Sequence, residues 1–143
     1  DNVTGDITEP RMFEKCCVPF YNRQARLLHD VGKLLAIHLD GRMRPLKDLI
    51  ACVDVDVVES FTLPEMGGDL SIEEAFAAWP GKAVVANIAA CLCQLDRAGI
   101  LEWLEAFFAR LPSRNFMFEL SENFPPAELR RVLPIFAEFM SQQ

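Results

Sequence analysis

Acids outnumber bases in this 143-residue chain, 21 Asp and Glu against 14 Lys and Arg, and no basic run is longer than Arg130-Arg131. A net charge of −7 without a clustered positive patch offers phosphates no footprint, which argues against nucleic acid as a partner. Long hydrophobic runs are missing too: the longest, residues 83–95, is interrupted by Asn87 and is too short to span a bilayer. No positively charged start leads into an apolar core, so no secretion signal is visible and no membrane partner is expected. The five cysteines (Cys16, Cys17, Cys52, Cys91, Cys93) are odd in number and lack the rhythm of a disulfide framework. Reduced thiols of a cytoplasmic protein are the simplest account. Neither G-x-G-x-x-G nor a Walker segment occurs, so no glycine-rich phosphate loop is present. Low-complexity tracts and domain-dividing linkers are lacking as well, and 1–143 reads as a single domain.

What is present is apolar. Hydrophobic residues make up 51% of the chain and mean hydropathy is +0.14. Two readings fit: a well-filled α/β core, or surface that is covered by another chain or a missing half domain.

Four times a short apolar strand runs into an amphipathic helix. Thr8-Glu9-Pro10 predicts a helix start, with Thr8 as capping hydroxyl and proline in the first turn. The line Phe13, Cys16/Cys17, Phe20, Leu27/Leu28 and Val31 has helical spacing and Gly32 ends it. Pro19 lies inside and predicts a kink or two successive helices. Residues 33–38, with Leu34, Leu35, Ala36 and Ile37, predict a first strand buried on both faces. Pro45 opens a helix burying Leu46, Leu49, Ile50 and Val53, and a second strand over 55–60 delivers Glu59. Ser71 with Glu74 three residues on forms a capping box for a helix that Pro80-Gly81 breaks near Trp79. A third strand spans 83–88. The helix after it carries the stripe Ile100, Trp103, Leu104, Phe107, Phe108 and Leu111. A fourth strand over 115–120 ends at Ser121-Glu122. Pro125-Pro126 then starts a last helix with Leu129, Val132, Leu133, Phe136 and Phe139 inward and Pro134 bending it.

Parallel strands joined by helices cross over right-handedly. Kept adjacent in that sense, the four units make an α/β fold of (β/α)4 type: half of a TIM-type barrel, with parallel strands and outer helices. Such an arc has two unpaired edges and an open inner face. A second chain completing the barrel, as in a homodimer, or a missing N-terminal half of a longer protein is therefore expected. An open four-stranded sheet covered by five helices is the alternative architecture.

In such folds chemistry collects where strands hand over to helices. That rim gathers His38 and Asp40, on one face of an extended chain, with Glu59, the Cys91/Cys93 loop and Glu122. Imidazole and carboxylates can share a proton, which makes His38, Asp40 and Glu122 the candidate catalytic groups. The set His38, Asp40, Glu59 and Glu122 can equally hold a divalent metal. Arg42 and Arg44 follow the His-x-Asp-Gly turn and, with Glu59, are candidate substrate-binding groups that would clamp a carboxylated small molecule. Helix starts at the same rim favour an anionic ligand. Plainer readings stand beside these. His38 is held by a nearby acid while Asp40-Gly41 caps the next helix; Glu59 is a solvated loop acid. Arg42 and Arg44 are ordinary surface residues, Cys91 and Cys93 are small buried ones, and His29 is structural or exposed.

Residues 33–41 (KLLAIHLDG), 55–69 (VDVVESFTLPEMGGD), 80–87 (PGKAVVAN) and 116–126 (FMFELSENFPP) resemble, in that order, the C-terminal half of the uroporphyrinogen decarboxylase superfamily. That superfamily includes corrinoid-dependent methyltransferases and cobalamin-independent methionine synthase. Asp1-Asn2 with residues 8–19 is similar to the segment before the fifth barrel strand of decarboxylase-like members, so the resemblance covers essentially the whole chain. It implies a TIM barrel with strands five to eight present and one to four absent. In the methyltransferase branch zinc is held by a His-x-Cys pair, in some members a glutamate after the next strand, and a cysteine near the final strand. His38 matches the histidine, Asp40 stands at the first cysteine, Glu59 matches the glutamate and Glu122 falls near the last thiolate. Two thiolates have become carboxylates, which replaces the soft sulfur environment of thiol-activating zinc by oxygen donors suited to harder ions. In the decarboxylase branch a histidine of the last strand-loop is replaced by Glu122, within Ser121-Glu122-Asn123, and the essential aspartate and arginines belong to the other half.

The expected function is therefore a decarboxylase-like or methyltransferase-like enzyme domain, working within a complete barrel on a small carboxylated or methylated substrate. A divalent metal, zinc or a harder ion, is the cofactor this implies. The alternative is a non-catalytic half-barrel that serves as a dimerisation or partner-binding module.

Overall fold

The computed structural model describes residues 3–88, 90–111, 115–120 and 124–142, with the backbone alone of Cys93. Proline decides how the chain enters the fold. Helix α1 (Pro10–Met12) widens into a π-helical turn, Phe13–Cys17, and continues as α2 (Val18–His29). Pro19 thus falls in the first turn of α2, directly after the π-helical turn that Val18 N–H closes on the Phe13 carbonyl. Where Pro19 predicts a kink or two successive helices, the helical run from Pro10 to His29 is contiguous, and its irregularity is the π-helical turn just before Pro19. Glu9, one residue after Thr8, stands at the N-cap position of α1 and makes no side-chain capping bond.

Four strands follow, β1 (Ala36–His38), β2 (Val57–Phe61), β3 (Ala83–Asn87) and β4 (Phe116–Glu119). Between and after them come α3 (Lys47–Ala51), α4 (Ile72–Ala78), α5 (Arg97–Phe108) and α6 (Pro126–Met140). The strands form one sheet in the order β1-β2-β3-β4, parallel throughout. Right-handed crossovers in a consecutive order put each crossover helix on the same face of the sheet. The core agrees. Phe13, Ile37, Ile50, Val58, Phe61, Ile72, Trp79, Val84 and Phe107 are buried together, and Ile100, Leu104, Val132, Ile135, Phe136 and Phe139 continue that layer under α5 and α6. Side-chain alternation then assigns Ala36, His38, Glu59, Asn87, Met117 and Glu119 to the opposite face. No helix among the described residues is long and apolar enough to cross a membrane.

The sheet has one irregularity. Val58 opposes Val84 and Phe61 opposes Ala86, so Glu59 and Ser60 share the space across from Val85. This is a β-bulge, and Ser60 adopts φ 64°, a left-handed conformation that costs a residue with a Cβ about 1–2 kcal/mol. Because of the extra residue, Glu59 keeps the open face while Phe61, two positions on, turns to the helices. There it meets Trp79 edge-on at 6.0 Å between ring centroids.

Two expectations about burial need correcting. The first strand is shorter than 33–38 and is not buried on both faces: Leu34 is 70% exposed and, within β1, only Ile37 is buried. Its position is the reason, since β1 is an edge strand with no neighbour on its outer side. In α6 the buried stripe is Val132, Ile135, Phe136 and Phe139, at helical spacing, and Leu133 is exposed.

The capping box at α4 is formed as expected: Ser71 Oγ accepts from Glu74 N at 3.2 Å, and Glu74 Oε2 accepts from Ser71 N at 3.0 Å. Replacing Ser71 by Ala removes one of the two bonds. The folding free energy measured by urea unfolding should fall by about 1 kcal/mol with an unchanged m value.

Candidate functional site

The C-terminal ends of the strands bring together side chains far apart in sequence. His38 and Glu59 are register partners on β1 and β2. Their contact is direct, Nδ1 to Oε2 at 2.5 Å, while Nε2 of the same ring lies 4.0 Å from Asp40 Oδ2. The imidazole is therefore flanked by two carboxylates, one bonded and one at the mouth. Leu39 between them is fully buried, and its burial anchors the strand end from which His38 and Asp40 project.

Glu119, at the end of β4, completes the group and was not among the candidates. It hydrogen-bonds Glu59 and accepts the backbone N–H of Ser60, the residue the bulge releases from regular pairing. Carboxyls from β2 and β4 thus meet over β3, as the interior layers of a closed barrel draw on alternate strands. Burial first, then the hydrogen bond and negative charge of Glu59, push the Glu119 carboxyl up to about 7, against the opposing pull of Ser60 N–H and His38. Its Oε1 is buried and has no hydrogen-bond partner among the described residues, which accords with that direction. The signal in the sequence was the alternation Phe116, Met117, Phe118, Glu119: two aromatic side chains face the helices, so Glu119 must face away.

The remaining candidates fall as follows. Arg42, two residues after Asp40, is 60% exposed, with Nη1 3.8 Å from Asp6 Oδ1, a loosely paired cation. Arg44 is committed inside the chain. Its Nη1 and Nη2 donate to the two oxygens of Glu74 at 2.8 Å each, and its Nε donates to the Asp69 carbonyl at 2.9 Å. These bonds, with that from Ser71 N–H, hold the Glu74 carboxyl down to about 2. Glu122 lies outside the described residues. Cys91, read as a small buried residue, is instead exposed, and the Cys93 side chain is outside the description. His29 sits at the other end of the sheet, where Asp56 accepts from His29 Nε2 at 2.8 Å and from Leu35 N at 2.7 Å, a structural tie.

The metal reading finds no three-ligand set here. Among the described residues no group of three or more His, Cys, Asp or Glu is arranged to hold an ion. His38 spends Nδ1 on Glu59, and Asp40 approaches the other nitrogen rather than a shared centre. What the arrangement can do is hold and move a proton: an imidazole is oriented by one carboxylate, beside a second carboxyl whose proton affinity is raised. No protein-family model and no curated protein matches the chain.

The raised Glu119 sets the direction of one pH effect. Between the ordinary 4.5 and about 7 the folded protein keeps a proton here that the unfolded chain has released, so stability falls as pH rises through that window. In urea titrations Glu119→Gln should be the more stable form at about pH 8 by about 1–2 kcal/mol, and should lose this part of the slope. An unchanged slope in that variant would show that the proton is held elsewhere.

Proposed function

We propose that this chain is the strand five-to-eight half of a (β/α)8 barrel of the uroporphyrinogen decarboxylase superfamily type. In this reading its C-terminal rim carries out acid–base chemistry on a small carboxylated or methylated substrate. The observation that carries it is the meeting of His38, Glu59 and Glu119, from three different strands, over the face left free of helices. Consecutive parallel order with the helices on one side is what half of a closed barrel requires. The four segments that resemble the superfamily fall on β1, β2, β3 and β4 in sequence.

Within this reading each group has a role. Glu59 accepts the Nδ1 proton and fixes the imidazole, so that Nε2 is the nitrogen that gives or takes a proton at the mouth. Asp40 holds the second approach to the ring, and Arg42 supplies the cation nearest to an incoming carboxylate. Arg44, bonded to Glu74 and Asp69, ties the loop after β1 to the segment that starts α4. Among the described residues the carboxylates and imidazole of this rim do not converge on a common metal centre.

A second reading rests on a separate observation. An apolar groove of about 440 Å³ runs beside the free edge of β4, lined by Phe116, Met117, Leu133, Phe136 and Met140 among others. Uncovered strand edges and apolar grooves are where chains associate, so a non-catalytic half-barrel serving as a dimerisation or partner-binding module is the alternative.

Succinate titrated into isotopically labelled protein, followed by NMR, tests the first reading. It should perturb resonances of His38 and Arg42; His38→Ala should abolish the response while leaving the rest of the spectrum in place. Equal binding by His38→Ala sinks the proposed site. Sedimentation at micromolar concentration tests the second reading: a stable monomer that binds no hydrophobic dye would count against the association module.

A further inference from the structure

Each end of the sheet leaves a strand edge and a helix flank bare, and the two flanks are built alike. On α2, Asn22 and His29, seven residues apart, hold the segment that enters β2: Asn22 Oδ1 accepts from Asp54 N, and His29 Nε2 donates to Asp56 Oδ2, both at 2.8 Å. Phe20 and Leu27 share that spacing two positions earlier, about 200° round the helix. They therefore point away from β2, past the free edge of β1, and are 57% and 54% exposed. On α6, Arg131 and Glu138 face the start of α5 in the same way. Arg131 Nη1 donates to the Leu95 carbonyl at 3.0 Å, and Arg97 Nη2 donates to Glu138 Oε2 at 2.6 Å. Leu133 and Met140, two positions later, are exposed on the other side, past the free edge of β4.

We infer that both flanks are covered by a second copy of this chain. The Phe20–Leu27 ridge of each copy seats in the groove beside β4 and α6 of the other, and the same joint forms twice about one twofold axis.

Shape is the first reason. One flank is a ridge of Phe20, Leu27 and Val31, and the other is the apolar groove of about 440 Å³ lined by Met117, Leu133 and Met140. Direction is the second. A twofold axis along the strands preserves their sense, so β4 of each copy meets β1 of the other in parallel. Eight strands then close, the number at which side chains fill a barrel. Pairing like with like, β4 on β4 or α2 on α2, covers one flank and leaves the other bare. Charge is the third. Residues 10–33, which carry the ridge, hold five Lys and Arg against two acids, whereas the rest of the chain holds nine against 19. Ridge on ridge is thus repulsive, and ridge on groove is attractive. Area agrees: with Leu34, these exposed side chains offer on the order of 800 Å² per chain, one partner's share of a stable interface. The inference rests on the association reading given above and names its partner and its joint.

Sedimentation velocity at micromolar concentration tests it, and the wild type should run as a dimer. Leu27→Lys and Leu133→Glu lie at exposed positions and should keep the circular dichroism of the wild type. Each should raise the dimer dissociation constant at least about tenfold. An equimolar mixture of the two variants should recover the dimer, because one of its joints is then wild type and the other sets Lys against Glu. Weakening by only one of the substitutions, or no recovery in the mixture, overturns the ridge-to-groove joint. A dimer that both substitutions leave intact overturns the inference and leaves the association reading standing on another surface. A monomeric wild type overturns the inference as well: if it binds hydrophobic dye the flanks await a different chain, and if it binds none the association reading falls with it.

Discussion

A right-handed crossover between parallel strands leaves a chain of four consecutively ordered strands one face on which to pack its helices. The other features of the molecule are arranged around that constraint. Apolar side chains of β1 to β4 collect between sheet and helices, and the opposite face is left to residues that need water or a partner. The two ends of the sheet then differ in kind. At the N-terminal end polar groups close on one another: His29 on Asp56, and the Lys82 ammonium, whose proton affinity burial lowers, on the carbonyls of Val53 and Val55. At the C-terminal end His38, Asp40 and Glu59 converge instead on a face that the helices leave uncovered.

The precision of the open face depends on the packing behind it. Phe107, Phe108, Phe116 and Phe118 form a continuous aromatic layer with centroid separations from 4.8 to 6.4 Å. Trp103 stacks on Phe107 at 5.1 Å, and Phe139 closes on Phe108 at the same distance. Such pairs contribute about 0.5–1.5 kcal/mol each beyond their burial. They matter to the site because Phe118 is the residue before Glu119. A ring held on three sides leaves β4 little freedom to rotate, and the carboxyl on its other face inherits that rigidity.

How much of this was legible in the sequence depends on the range of the interaction. Local signals carried well: Ser71 with Glu74, the apolar stripe of α5, the punctuation by Pro80-Gly81 and Pro125-Pro126, and the repeated strand–helix unit. Long-range register did not. Spacing along the chain pairs His38 with Asp40, two residues on; the sheet pairs it with Glu59, 21 residues away, because β1 and β2 align there. The shortness of β1 has the same origin, since the pattern of Leu34 to Ile37 is that of a covered strand and only the missing neighbour exposes it. Glu119 was visible in the alternation of its strand, but attention to the loop that follows favours Glu122. Nothing local announces the bulge: Ser60 is an ordinary strand residue until the partner strand is known.

That bulge bears on how such a site can come and go over generations. Without Ser60, strict alternation would still send Glu59 to the open face and the following phenylalanine to the helices, because the extra residue is what restores the phase it interrupts. Strand β2 can therefore gain or lose one codon at this point without inverting any side chain. What changes is a single backbone N–H, present or absent beside Glu119. The facing of side chains along β2 is thus insensitive to that one residue, and the sheet can stay as it is while the polar contact beside Glu119 is made or removed.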